Sequence, residues 1–450
     1  MNRRDFIKLG GASLMASSMF RLGQALANSP AQDSDYKALV CVFLYGGMDN
    51  HDTIIPYDDP SYTQWAGHRQ SLLGKYTRPR TQANLLPIAT PGRFDSRRFA
   101  LPPELAGLAG LYQQNKVAVV GNVGPLLRPV TASMIAQDTA RLPARLFSHN
   151  DQQSTWMSGA AEGAQFGWGG LMNDALMTQG LTGNTPFNAI TTADGALWLT
   201  GKQTAPYHVS DGQAATIEAL EEFDHHPELI AHFSNQAQNA QSLLQQDLTN
   251  AINSAYEANS QFNAAQANTT VTLPVFPATG LGRQLQTVGK SIAARQQLGA
   301  SRQVYVVAMG GFDTHSGQAQ NLPKLQTTLD SALVAFNNAM ESLGLSEQVT
   351  LFTASDFGRT LAINGDGTDH GWAGHHFVMG GAVNGGTIFG DIPKSELNHE
   401  LDAGGGRLIP TTSVDQYAAS LGQWMGLDTG TLNGIFPNLV HFNGPLSLFK

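Results

Sequence analysis

The chain has 450 residues, 42% hydrophobic and 14% charged, with a formal net charge of −9. That length builds a sizeable core in one large domain or two. The acidic balance without a basic patch argues against nucleic acid, the single cysteine rules out a disulfide framework, and the lack of 18 consecutive apolar residues argues against a membrane span in the mature chain.

The N-terminus reads as a targeting segment. Asn2-Arg3-Arg4-Asp5-Phe6-Ile7-Lys8 fits the twin-arginine pattern, Leu9 to Phe20 is weakly apolar, and Ala25-Leu26-Ala27 offers a small-residue cleavage site. Residues 1–27 are therefore expected to be a twin-arginine signal peptide. The export machinery is then one expected partner, and the periplasm or the exterior the destination. Removing four basic residues and one acid takes the net charge from −9 to −12. The twin-arginine route carries folded proteins, which suits an ion loaded before crossing. Residues 28–37 read as a linker, and 38–450 as one domain.

Ala38 to Tyr45 is a continuous apolar run, as expected of a strand buried on both faces. It contains Cys41, a small core residue, and ends in Gly46-Gly47-Met48-Asp49-Asn50-His51-Asp52. Residues 56–100 hold many Pro, Arg and Gly and read as irregular. Pro102 to Asn115 predicts a helix and Val117 to Val120 a second buried strand. Thr131 to Leu142 reads as a short helix, followed by a polar stretch with Ser148, His149 and Ser154. Gly169 to Gln179 is helical, and weak strands fall near 188–191 and 197–200. From Pro227 to Ala267, Leu and Ile recur at helical spacing. Leu281 to Leu298 is a further helix, so that 180–300 reads as a helical cap or insertion. Asp224-His225-His226 reads as a helix entrance. Val304 to Met309 is the third buried strand, ending in Gly310-Gly311-Phe312-Asp313-Thr314-His315. A long helix, Gln318 to Leu343, leads to the fourth strand, Val349 to Ala354. A loop from Asp356 to His376 is expected next, then short strands at 377–379 and 387–389. Ser413 to Leu427 closes the chain as a helix capped by Ser413. Trp156, Trp168, Trp198 and Trp372 read as packing residues.

Strands alternating with helices predict an α/β fold with a doubly wound, mainly parallel sheet. Such a sheet brings the polar strand ends to one edge. Asp49, Asp313, His315, Asp356, Asp369, His370, His375 and His376 are the candidate metal ligands, because carboxylate oxygen with imidazole nitrogen suits zinc, manganese and related ions. Asp366-Gly367 reads as a turn. Asp49 is placed to bridge two ions held by Asp313 and Asp356, the usual device for in-line displacement at phosphorus. Arg359 is a candidate clamp for an anionic oxygen or a salt bridge for the loop.

The strand-then-Asp opening, the Asp313/His315 pair, Ser355-Asp356-Phe357-Gly358-Arg359-Thr360 and Asp369-His370 resemble the alkaline phosphatase superfamily. They are most similar to a branch of twin-arginine-exported, sulfatase-related proteins of unknown function. The resemblance covers about 38 to 447. It implies an alkaline-phosphatase-like fold with up to two divalent ions, zinc first, with manganese or calcium as alternatives. It also implies a Ser or Thr nucleophile acting on a small anionic phosphate or sulfate ester. Ser148 is the first candidate nucleophile, ahead of Thr131, Ser133 and Ser154, with His149 as base or ligand. Departures are visible. Asp313 and His315 are two apart rather than four, Phe357 stands where histidine is expected, and Cys41 lacks the following Pro and Arg of a formylglycine sulfatase. The alternative is a non-catalytic metal-binding or assembly protein of the cell envelope on the same fold.

Overall fold

The computed structural model describes residues 35–193, 195–210, 212–214 and 242–450. The expected signal peptide, most of the linker and the Asp224-His225-His226 entrance lie outside the described residues. The central sheet is built from β1 (Lys37–Leu44), β2 (Val117–Gly124), β3 (Ala189–Thr191), β4 (Tyr207–Ser210), β5 (Arg302–Met309), β6 (Val349–Ser355), β7 (Gly374–Met379) and β8 (Ile388–Gly390). Their spatial order is β8-β2-β7-β6-β1-β5-β3-β4, with Gln213–Ala214 at the far edge and Thr412–Ser413 also beside β2. β7 and the Gln213–Ala214 piece run antiparallel to their neighbours, and every other pairing is parallel.

The strand runs that looked buried on both faces are so. Along β1, Ala38, Val40, Val42 and Leu44 enter one apolar core, while Leu39, Cys41 and Phe43 enter the other. This is the two-residue period of a pleated strand. The first face is covered by α2 (Ala106–Gln113), α5 (Leu243–Ala267), α6 (Gly280–Ala293) and α7 (Gln318–Ser342). The second is covered by α3 (His149–Ser158), α4 (Trp168–Thr178) and α8 (Val414–Met425), whose Ser413 cap forms a reciprocal capping box with Gln416. Helices on both faces of a mainly parallel sheet are what strand–helix alternation predicts.

Several elements differ from expectation. Residues 56–100 carry a 15-residue helix, α1 (Asp59–Leu73), capped by Asp58 with proline in its first turn. Its inward residues are Trp65, Arg69 and Leu72, and a buried arginine erases the amphipathic signal. Residues 197–200 fall in a helical turn, Ala196–Leu199, whose Trp198 packs where Gly169 leaves α4 bare. The strand expected near 188–191 is β3, and β4 follows it, so this part of 180–300 joins the central sheet while the helices lie beyond it. The expected loop 356–376 folds into a hairpin, Arg359–Ile363 with Thr368–His370, and then enters β7. Among the described residues no helix is long and apolar enough to cross a membrane.

Candidate metal centre

β5, β1 and β6 are adjacent and parallel, so their C-terminal ends open side by side. β1 runs into Gly46-Gly47, β5 into Asp313, and β6 into Asp356. Gly46 has φ +112, and a Cβ there would lie 2.4 Å from the Asp313 amide nitrogen. Only glycine lets this turn press against the backbone that carries Asp313. Gly367 does the same for the hairpin, where a Cβ would lie 2.2 Å from the Thr314 carbonyl oxygen.

Asp356 is fully buried. It accepts hydrogen bonds from the Gly46 amide at 3.2 Å, Gln153 Nε2 at 2.9 Å and His149 Nδ1 at 2.6 Å. His149 opens α3 and Gln153 lies one turn on, so one helix face serves Asp356. His370 Nδ1 donates to the Phe147 carbonyl at 2.8 Å, and His315 Nδ1 to Asp369 Oδ1 at 3.2 Å. Asn364 Nδ2 steadies the same Asp369 oxygen at 2.6 Å. Carbonyl and carboxylate oxygens accept, so each of these three histidines carries a proton on Nδ1 and turns its Nε2 inwards.

Those inner atoms converge. His315 Nε2 and His370 Nε2 are 2.9 Å apart and lie 3.0 and 3.1 Å from Asp313 Oδ1. His149 Nε2 faces Asp313 Oδ2 at 3.5 Å. His149, Asp313 and His370 each place a ligand atom within 4.8 Å of the others. Acceptor atoms this close are held together by a cation, either a proton on an Nε2 or a metal ion. Donor atoms at these separations could share a divalent ion with ligand distances of about 2.0–2.1 Å. The donor set and its spacing fit a divalent ion. Each histidine also has the outer partner that metal-bound imidazoles need.

Charge is arranged to match. Burial pushes the Asp313 carboxyl up, but the Arg359 guanidinium, with His315 and His149, holds it below the usual carboxylate range. His149 is raised, first by its hydrogen bond to Asp356, so an ion competes there with a proton. His370 is lowered, chiefly by burial. Arg359 is buried, donating to Asp313 Oδ1 at 2.7 Å, to the Gly46 carbonyl at 3.2 Å and to both oxygens of Thr368. It therefore positions Asp313 and does not face a substrate.

The remaining candidates lie elsewhere. Asp49 is buried against Arg69 with contacts of 2.6 and 3.1 Å, and also accepts from Gln318 Nε2 at 2.6 Å and the His51 amide at 3.0 Å. Its oxygens are spent on a structural ion pair. Asp49→Ala strands the Arg69 charge, and urea unfolding is expected to show a loss of about 3–5 kcal/mol. The folded fraction should keep its ion; loss of the ion in that fraction would return Asp49 to the ligand set. His375 and His376 lie inside β7 rather than in a loop. The first accepts from the Asn122 amide at 2.9 Å, and the second packs against Trp156 and Tyr417. Ser148 stands at the N-cap position of α3, but its hydroxyl makes no capping bond and donates to Asp151 at 2.8 Å instead. Gln153 and the Phe147 carbonyl are not among the residues predicted from sequence. Gln153 was discoverable four residues after His149; a backbone carbonyl leaves no trace in sequence.

The family described as Protein of unknown function (DUF1501) matches residues 36–435. No curated protein matches the chain. Among solved structures, the chain is similar to Ps i-CgsB in a complex with k-i-k-neocarrahexaose, at 10% identity and TM-score 0.33, covering 91% of this chain and 77% of that one. It is also similar to a mutant of alkaline phosphatase PafA, at 11% identity and TM-score 0.27, covering 75% and 64%. Likenesses this loose assign no residue a role.

Proposed function

We propose that this chain, which belongs to the DUF1501 family of proteins of unknown function, is an exported metal-dependent hydrolase of phosphate, sulfate or related anionic esters on an alkaline-phosphatase-like fold. The observation that carries this reading is the inward convergence of His149, Asp313, His315 and His370, with all three Nδ1 atoms fixed from behind. The proposal is for one ion, zinc by its ligand set, rather than two, since Asp49 is committed to Arg69. Such an ion would polarise an ester oxygen and lower the pKa of a water. The chain's own part is to hold the ligands, keep the Asp313 carboxylate ionised and fix each imidazole's tautomer. No serine or threonine is given a nucleophilic role.

A second reading keeps the ion without the hydrolysis, as an envelope binding or assembly protein. What favours it is that Ser148, the expected nucleophile, is turned to Asp151. Elemental analysis of mature, untagged protein from the periplasm tests the shared premise. About one zinc or manganese per chain is expected, and no ion after mild preparation would overturn both readings. Turnover of aryl phosphate or sulfate esters by metal-loaded protein, abolished by chelation, separates the first from the second.

A further inference from the structure

We propose that Arg407 is the anion-recognition residue of this centre, binding an oxygen of a tetrahedral phosphate or sulfate group held at the ion. The inference rests on the metal reading above and adds the substrate contact that reading lacks.

Arg407 is built into place. Its Nε donates to the His370 carbonyl at 2.9 Å, its Nη1 donates to the Gly404 carbonyl at 2.9 Å, and its guanidinium lies 5.4 Å over the Phe147 ring. Phe147 is the residue whose carbonyl orients His370, so Arg407 is anchored to both supports of that ligand. The loop carrying it is fixed as well. Asp402 Oδ1 accepts from the amides of Gly404 at 2.7 Å and Gly406 at 2.8 Å, and His51 Nε2 meets the Gly406 carbonyl at 3.0 Å. Gly406 has φ +76, and a Cβ there would lie 2.3 Å from Leu361 Cβ. The Gly404-Gly405-Gly406 run is thus needed to seat the arginine beside the hairpin.

Two corners of the guanidinium are tied to carbonyls. Among the described residues Nη2 has no partner and no carboxylate pairs with Arg407. A guanidinium held at two corners and open at the third is preorganised for an oxyanion. Formal charge favours the same ligand. Asp313, Asp356 and Asp369 carry three negative charges against two positive ones on Arg359 and Arg407. A divalent ion turns that net −1 into +1, and a cationic pocket recruits anions. Arg359, buried with its donors committed, cannot supply this contact.

Calorimetry of the zinc-loaded full mature chain with inorganic phosphate, and separately with sulfate, tests the assignment. Arg407→Ala is expected to weaken whichever anion binds at least tenfold, and Arg407→Lys by less. Zinc affinity should stay within a few-fold of wild type in both, which separates anion recognition from support of His370. Unchanged anion affinity in both variants overturns the proposal. So does a wild type that takes up zinc yet binds neither anion, and that result leaves the metal reading standing. A wild type that takes up no zinc overturns the metal reading. Arg407 is then judged by the same titration on metal-free protein, where loss of the anion in Arg407→Ala supports it and unchanged binding or no binding overturns it.

Discussion

Asp313→Ala is expected to empty the centre, with bound zinc falling from about one ion per chain to none after dialysis. Asp313 is the hub: both inner histidine atoms lie within 3.1 Å of its Oδ1, and His149 meets its other oxygen. Structural zinc sites hold their ion with about 10–16 kcal/mol, so one ligand of four carries about 3–4 kcal/mol, or a few hundred-fold in affinity. Asp356→Asn removes only an outer partner of His149, and should cost about 10–100-fold. Asp313→Ala also takes away the carboxylate that pairs with buried Arg359, so the metal-free fold should lose stability as well. The loss should be smaller than that of Asp49→Ala, because the Asp313 side chain is 43% exposed and Arg359 keeps its bonds to Gly46 and Thr368. A thermal melt of the chelated proteins therefore serves as the control. Full ion content in folded Asp313→Ala would show that the convergence is not a metal site.

The main strands were legible because burial on both faces writes an uninterrupted apolar run. β1, β5 and β6 each appear within two residues of their expected limits. Most of the centre was legible too, since Asp313, His315, Asp356 and His370 sit just past strands or in the hairpin that follows one. The sequence did not show which polar residues neutralise one another. Asp49 looked like a ligand because its partner, Arg69, lies in a helix whose inward face carries a charge and so lacks the usual stripe. His375 and His376 look like loop residues because the apolar run of β7 begins only at Phe377. In β7 one pairs with a backbone amide and the other fills an aromatic pocket. The Gly404-Gly405-Gly406-Arg407 loop gave no signal, because a glycine run gains meaning only when a neighbour such as Leu361 fills the missing Cβ space.

Lowering the pH from 7 to 5 is expected to remove about 5–6 kcal/mol of stability through three buried histidines. His51, His375 and His376 are each lowered chiefly by burial, to about 3, about 4 and about 3. Their unfolded value is near 6.5. Below that value the unfolded chain binds protons that the native chain refuses, so stability falls as pH falls. The loss runs from about pH 6.5 down to the folded values. At pH 5 each histidine contributes about 2 kcal/mol of it, at about 1.4 kcal/mol per pH unit. The sum is comparable with the whole stability of an ordinary domain. Urea unfolding at the two pH values measures it, and equal midpoints would show that these histidines titrate normally. His376→Phe provides the attribution. It removes a buried Nε2 that has no partner among the described residues, gives up a 3.4 Å contact between Nδ1 and Thr353 Oγ1, and keeps a ring against Trp156 and Tyr417. The variant should lose about one third of the pH dependence while its stability at pH 7 holds or rises, because a buried unsatisfied polar atom is itself a cost.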